Sequence, residues 1–166
     1  MKLLKDGKII DTPWLRVEDR LSYPEDDWLV LPLESFLRCT SRLKNKESMG
    51  VWLDTHESVE ELSGLVNELP VIALNFPQFT DGRAFSSAAL LRQRYKYQGM
   101  LIATGDVRFD QMDQLYLTGF DAIDITNNTD FRKAEGETLI RNPGYLYLLD
   151  ETVSSDKKPA NELSAA

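Results

Sequence analysis

Carboxylates, an amide and an arginine stand at the ends of short apolar runs in this sequence, where they could bind or transform a small polar molecule. The candidate residues are Asp54, Asn75, Thr80, Asp81, Gly82, Arg83, Gly105, Asp106 and Asp124. Such groups together can bind a small anion, or hold a metal ion through oxygen ligands. In an enzyme, Asp81 or Asp106 would act as acid or base, and Arg83 would fix an anionic substrate.

The elements that must position these residues are apolar runs of strand length, separated by helical patterns. The runs start near residues 50, 71, 100 and 121. Each interval is long enough for one crossover helix, so repeated β/α units are expected. Parallel strands end at one shared edge, where ligands bind in open α/β sheets. The sequence therefore predicts an α/β fold, as an open parallel sheet or a partial β/α barrel, with the candidate residues gathered at that edge.

The chain before these units predicts a β-hairpin followed by an irregular stretch. Two short apolar runs flank Asp6-Gly7, a strong hairpin signal, and this hairpin should add an antiparallel edge to the sheet. Residues 11–27 are polar and broken by prolines, so we expect no regular element there. Residues 28–31 predict the first core strand, and residues 34–43 predict a helix with Cys39 buried in it.

Three helices are predicted between the later strands. Ser58 and Glu61 form a capping box, and an apolar stripe from Val59 to Leu69 predicts a helix that Pro70 ends. A second helix has the inward residues Ala84, Ala88, Leu91 and Tyr95. A third helix should be capped by Asp106, face inward with Phe109, Met112 and Tyr116, and stop at Gly119.

Ordinary structural roles compete with the functional interpretation of each candidate residue. Asp81-Gly82 is a common turn pair, and Asp106 is a good helix cap. Arg83 is the exception, because no turn requires a guanidinium there, although it could pair with Asp81 or Asp106. His56 stands alone, and no phosphate-binding loop, dinucleotide fingerprint or nucleophile elbow is present, so we predict no metal site and no cofactor.

Length and composition narrow the class of protein. The 166 residues suit one domain, predicted at 1–150, and the polar residues 151–166 predict a disordered tail. A net charge of -8 argues against non-specific nucleic-acid binding. No apolar run approaches the ~20 residues of a membrane helix. Because the first residues also lack the pattern of a secretion signal, we expect a cytoplasmic protein.

Several segments resemble the bacterial family called domain of unknown function 934. They are VWLDTHESVEEL, LNFPQFTDGRAFSSAALLRQRY, GDVRFDQ and GFDAI, and the resemblance covers roughly Trp28 to Ile125. The positions that recur in the family correspond here to Phe79, Thr80, Asp81, Gly82, Arg83, Gly105, Asp106, Asp110 and Gln111. The resemblance thereby adds Gln111 to the candidate ligand-binding residues.

The same resemblance implies a cellular role. Members of the family tend to be encoded beside a sirohaem-dependent sulfite or nitrite reductase. This implies an accessory protein of assimilatory sulfite or nitrite reduction, which binds the reductase or helps to deliver an oxyanion. Two alternatives stay open: a small-molecule enzyme or oxyanion-binding protein that uses the strand-end Asp/Arg cluster, and a module whose parallel edge docks another chain.

Overall fold

The computed structural model describes residues 1–17, 28–39, 46–128 and Phe131. These residues form eight strands, three α-helices and four short 3-10 turns. The strands are β1 (Lys2–Lys5), β2 (Lys8–Asp11), β3 (Leu15–Arg16), β4 (Leu29–Pro32), β5 (Met49–Leu53), β6 (Val71–Phe76), β7 (Met100–Gly105) and β8 (Ala122–Asp124). The helices are α1 (Leu33–Cys39), α2 (Arg83–Gln93) and α3 (Met112–Thr118), and the turns are Lys46–Ser48, Val59–Leu62, Val66–Glu68 and Phe109–Gln111.

All eight strands form one mixed sheet in the order β2-β1-β8-β7-β6-β5-β4-β3. Strands β3 to β8 pair in parallel, whereas β1 is antiparallel to both β2 and β8. The predicted parallel sheet is confirmed, and so is the N-terminal hairpin as an antiparallel edge. The carboxyl ends of the parallel strands therefore lie at one edge.

The sheet curls into an open half-barrel, and one hydrogen bond across it demonstrates the curvature. Arg16 on β3 donates from Nη1 to Oγ1 of Thr104 on β7 over 3.2 Å. Three strands separate β3 from β7, which would put them about 19 Å apart in a flat sheet. One side chain cannot span that distance, so the sheet must bend toward the face that carries Arg16. Of the two forms predicted from the sequence, an open parallel sheet or a partial barrel, the structure has the partial barrel.

Alternation along the strands divides the core between the two faces. The helices cover the outer, convex face, where Leu53, Leu74 and Ala103 pack with Ala88 of α2 and Leu115 of α3. The inner, concave face has its own smaller apolar cluster. Its buried members are Leu3, Trp14, Val30, Val71, Ala73, Ile102 and Ala122. At the carboxyl edge this inner face turns polar, which is where a site can form.

The helix predicted from Val59 to Leu69 is wrong, although its capping box is confirmed. Two 3-10 turns replace it, because Gly64 between them adopts φ +90°, a left-handed conformation that ends a right-handed helix. Ser58 Oγ accepts from the Glu60 backbone and Glu61 bonds back to Ser58, as expected. The apolar residues are still buried, because two short turns bring the same side chains to the core.

The third predicted helix differs at its start. Asp106 does not cap it; a 3-10 turn comes first, and α3 begins at Met112. Phe109, predicted to face inward, is 47% exposed, because it lies in that turn and not in the helix. Gly119 ends α3 at φ +110°, as predicted.

Smaller differences concern the ends of elements. The stretch predicted as irregular contains β3, which two residues form by pairing with β4. Cys39 is half-buried at the end of α1 instead of buried. Asn75 and Gly105 were expected at the ends of apolar runs, but strands β6 and β7 continue to Phe76 and Gly105, so both residues belong to the sheet. The predicted tail at 151–166 and the predicted end of the domain at 150 lie outside the described residues.

Candidate functional site

Asp54 and Asn75 meet on the inner face at the carboxyl edge, as predicted. Asn75 Nδ2 donates to Asp54 Oδ1 over 3.2 Å, and the Thr55 backbone N–H donates to the same oxygen over 2.7 Å. Partial burial raises the pKa of Asp54, but these two hydrogen bonds and the nearby His56 outweigh it and hold the pKa below 3.8. Asp54 is therefore an anion at neutral pH whose role is to hold Asn75.

Asp81, in the loop before α2, forms an ion pair with Arg83, the first residue of that helix. Arg83 Nη2 lies 2.6 Å from Asp81 Oδ2, Nε bonds both carboxylate oxygens, and the Arg83 backbone N–H donates to Oδ1. The guanidinium and this N–H lower the pKa of Asp81 from 3.8 to about 2. An acid of this strength gives up its proton far below neutral pH, so Asp81 is suited to holding Arg83 and not to donating a proton.

Phe79 is held from three sides by the segment that follows β7. Its backbone N–H donates to Asp106 Oδ2 over 3.0 Å, and its carbonyl accepts from Gln111 Nε2 over 2.9 Å. The Arg108 guanidinium lies 3.7 Å from the centre of its ring. The FTDGR and GDVRFDQ segments are thus fastened to each other, and this gives Asp106 and Gln111 a structural task.

Gly105 allows these two segments to approach. Its φ is +94°, and a Cβ there would lie 2.3 Å from the Phe76 carbonyl and 2.6 Å from Asn75 Oδ1. Only glycine fits such a position without displacing the backbone. Thr80 and Gly82 are both exposed, and Gly82 precedes the first residue of α2. A catalytic or binding role of these loop residues stays a prediction.

Asp124 lines a cavity of about 650 Å³ on the concave side, and none of the candidate loop residues is among its lining residues. The described residues that line the cavity are Met1, Leu15, Arg16, Val17, Pro32, Trp52, Asp124, Thr126 and Asn127. Asp124 Oδ1 accepts from the backbone N–H of Thr126 over 3.0 Å and from its hydroxyl over 2.6 Å. Because Asp124 follows the buried Ala122 by two residues, both share the inner face.

Arg16 is a candidate residue of the cavity that sequence reasoning missed. Its guanidinium lies 4.2 Å from the centre of the Trp52 ring and bonds Thr104 Oγ1, while the residue itself stays exposed. Thr104 is 3% exposed, so this hydrogen bond anchors the cation to the sheet. A two-residue strand in a polar stretch shows no periodicity, so nothing local in the sequence could place Arg16 opposite β7.

A family model, described as a bacterial protein of unknown function (DUF934), matches residues 50–145. The chain belongs to this family. The matched range contains Trp52, Asp124, Thr126 and Asn127 of the cavity, but it begins after Arg16. No curated protein and no solved structure matches the chain. DUF934 membership therefore gives the chain relatives but no activity.

His56 lines a second, shallower cleft of about 290 Å³ with Ser86 and Ser87. Its Nδ1 lies 3.6 Å from Asp54 Oδ2, and its side chain is 74% exposed. Among the described residues, no group of three histidine, cysteine or carboxylate side chains is arranged to hold a metal ion. None of the helices in the described ranges is both long and apolar enough to cross a membrane.

Proposed function

We propose that this DUF934 protein is a cytoplasmic accessory protein of assimilatory sulfite or nitrite reduction, which binds a small anionic molecule in its concave cavity. The reductase is the proposed partner. The family resemblance supports the pathway, because members tend to be encoded beside a sirohaem-dependent sulfite or nitrite reductase. The geometry of the cavity supports the molecular part of the proposal.

The observation that carries the proposal is the fixed position of Arg16. A guanidinium stacked on Trp52 and bonded to Thr104 is oriented before any ligand arrives. Such preorganisation lowers the entropic cost of binding an anion, and a guanidinium offers paired N–H donors to a carboxylate or oxyanion. The net charge of -8 opposes the approach of anions, so the attraction must be local, and Arg16 and the ammonium group of Met1 are the cationic groups among the described residues that line the cavity.

The proposal predicts that sulfite or nitrite reduction in cells depends on Arg16. In a strain that lacks the gene, we expect the wild-type gene to restore reduction and Arg16→Gln to fail at equal protein level. Arg94→Gln is the matched control. Arg94 also lies over an aromatic ring and pairs with Glu60, but it lies outside the cavity. This control should restore reduction fully.

The partner is tested by purification of the reductase from cells with a tagged copy of this protein. We expect the reductase to co-purify. If it does not, and if the deletion strain reduces sulfite and nitrite at the normal rate, the proposed function is wrong.

A small-molecule enzyme is the second candidate, and the proximity of two strand-end pairs favours it. The hydrogen bonds to Asp81 raise the pKa of Arg83 most, and the charge of Asp54 adds to them, so the Asp54–Asn75 pair lies near enough to the Asp81–Arg83 pair to be felt there. Asp81→Asn and Arg83→Ala should then abolish activity while the protein stays folded. We rank this second, because each of these carboxylates already has a local partner.

A further inference from the structure

The cavity is much larger than a simple oxyanion. Its volume of about 650 Å³ lies within the range of roughly 300–1,000 Å³ found for sites that bind organic molecules. One water molecule takes up about 30 Å³ in the liquid, so an ion of four heavy atoms would fill only a minor part of the cavity.

Apolar side chains form much of the wall. Leu15, Val17, Pro32 and Trp52 line the cavity beside Arg16. A bare oxyanion would leave these surfaces in contact with water, whereas an organic body would cover them, at a gain of about 25 cal/mol per Å² of apolar area buried. The wall therefore favours a ligand with an apolar part.

Asp124 places a negative charge in the same cavity. Both hydrogen bonds that the described residues give to its carboxylate go to Oδ1, from Thr126. None of these residues donates a hydrogen bond to Oδ2, so this oxygen can accept a hydrogen bond from the ligand. A ligand with only negative charge would be repelled by Asp124, while one with an ammonium group would be attracted.

We infer that the cavity binds an organic zwitterion of the amino-acid class, with its anionic group at Arg16, its ammonium group at Asp124 and its apolar body on the wall beside Trp52. The inference rests on the proposed function, since it needs the anion site at Arg16. It goes further by naming the chemical class of the ligand and by giving Asp124 the role of selecting for the ammonium group.

The test is a calorimetric titration of the full chain with three probes that share one apolar body. L-phenylalanine carries both charges, 3-phenylpropanoate carries only the carboxylate, and 2-phenylethylammonium carries only the cation. L-leucine and L-methionine, with their des-amino acids, repeat the comparison with other bodies. We expect each zwitterion to bind at least tenfold more tightly than its single-charge partners. Sulfite, sulfate and nitrite form the comparison set of bare anions.

Two variants separate the contributions. Asp124→Asn keeps the oxygen that Thr126 bonds but removes the charge, so it should abolish the preference for L-phenylalanine over 3-phenylpropanoate. Arg16→Gln should lower the affinity for both L-phenylalanine and 3-phenylpropanoate at least tenfold, because both ligands carry a carboxylate. Asp11→Asn, an exposed carboxylate outside the cavity, is the control and should change neither affinity. Melting midpoints show whether each variant is folded.

The outcomes distinguish the two proposals. If the single-charge carboxylates or the bare anions bind as tightly as the zwitterions, and still depend on Arg16, the inference is wrong and the anion-binding function stands. The inference is also wrong if a preference for zwitterions persists in folded Asp124→Asn. If no probe binds, or if binding is indifferent to Arg16, both the zwitterion site and the proposed anion site are wrong.

Discussion

At the scale of single residues, neighbouring groups decide which candidate side chains can do chemistry. Asp81, Asp106 and Gln111 all have polar side chains, yet each is occupied in a contact that shapes a loop. Arg16 is held equally firmly, but its contacts orient the cation within the cavity. A residue's partners therefore say more about its role than its type does.

The Asp81–Arg83 pair gives a pH prediction at this scale. The folded pKa of Asp81 is about 2, below the ordinary 3.8, so the pair stabilises the folded state above pH 3.8 and loses this effect as the pH falls through about 2. Carboxyl carbon chemical shifts should give a midpoint near 2 in the wild type. In Arg83→Ala the pKa should move back toward 3.8, and a midpoint that stays near 2 would contradict the ion pair.

The sequence left open whether Arg83 pairs with Asp81 or with Asp106. A separation of two residues across the start of α2 lets both the backbone N–H and the guanidinium of Arg83 reach Asp81. Asp106 is instead turned toward the backbone of Phe79, because Gly105 brings β7 close to the end of β6. That choice depends on contacts distant in sequence, which no local pattern records.

At the scale of elements, hydrophobic spacing predicted burial better than it predicted conformation. Val59, Leu62, Val66 and Leu69 are buried as the stripe required. The helix itself failed at Gly64, whose left-handed backbone divides the segment into two turns. The strands were easier to predict than this helix, because polar residues bound each apolar run. The β/α alternation then favours parallel pairing of successive strands.

The two left-handed glycines make a matched stability prediction. Gly105→Ala adds a Cβ 2.3 Å from the Phe76 carbonyl, whereas Gly64→Ala meets nothing within 4 Å. In both variants, backbone strain should lower the free energy of unfolding by roughly 1–2 kcal/mol. Overpacking should lower it by a further roughly 1–3 kcal/mol in Gly105→Ala alone. Urea unfolding should show the larger loss for Gly105→Ala. Equal losses would mean that the close approach of β6 and β7 is absent.

At the scale of the whole molecule, curvature creates the site. The α/β class and the parallel edge were predicted from the order of apolar runs, which left open whether the sheet stays open or curls into a partial barrel. The cavity was not predicted from the sequence, because it forms only when the sheet curls and brings β3 opposite β7. The residues that meet there, Arg16 and Thr104, are 88 positions apart in the sequence. Asp124 was predicted as a candidate from its strand, but that it lines a cavity without Asp81 and Asp106 follows only from the fold.

Binding of an anionic group at Arg16 is tested most directly by nitrogen-15 NMR of the full chain during titration with L-phenylalanine, and separately with 3-phenylpropanoate. We predict saturable shifts of the Arg16 Nε–H and Trp52 Nε1–H signals, because the guanidinium rests on that ring. The Arg94 Nε–H signal, from outside the cavity, should stay in place. If neither probe moves the Arg16 signal, or if Arg94 moves as much, the cavity is not the anion site.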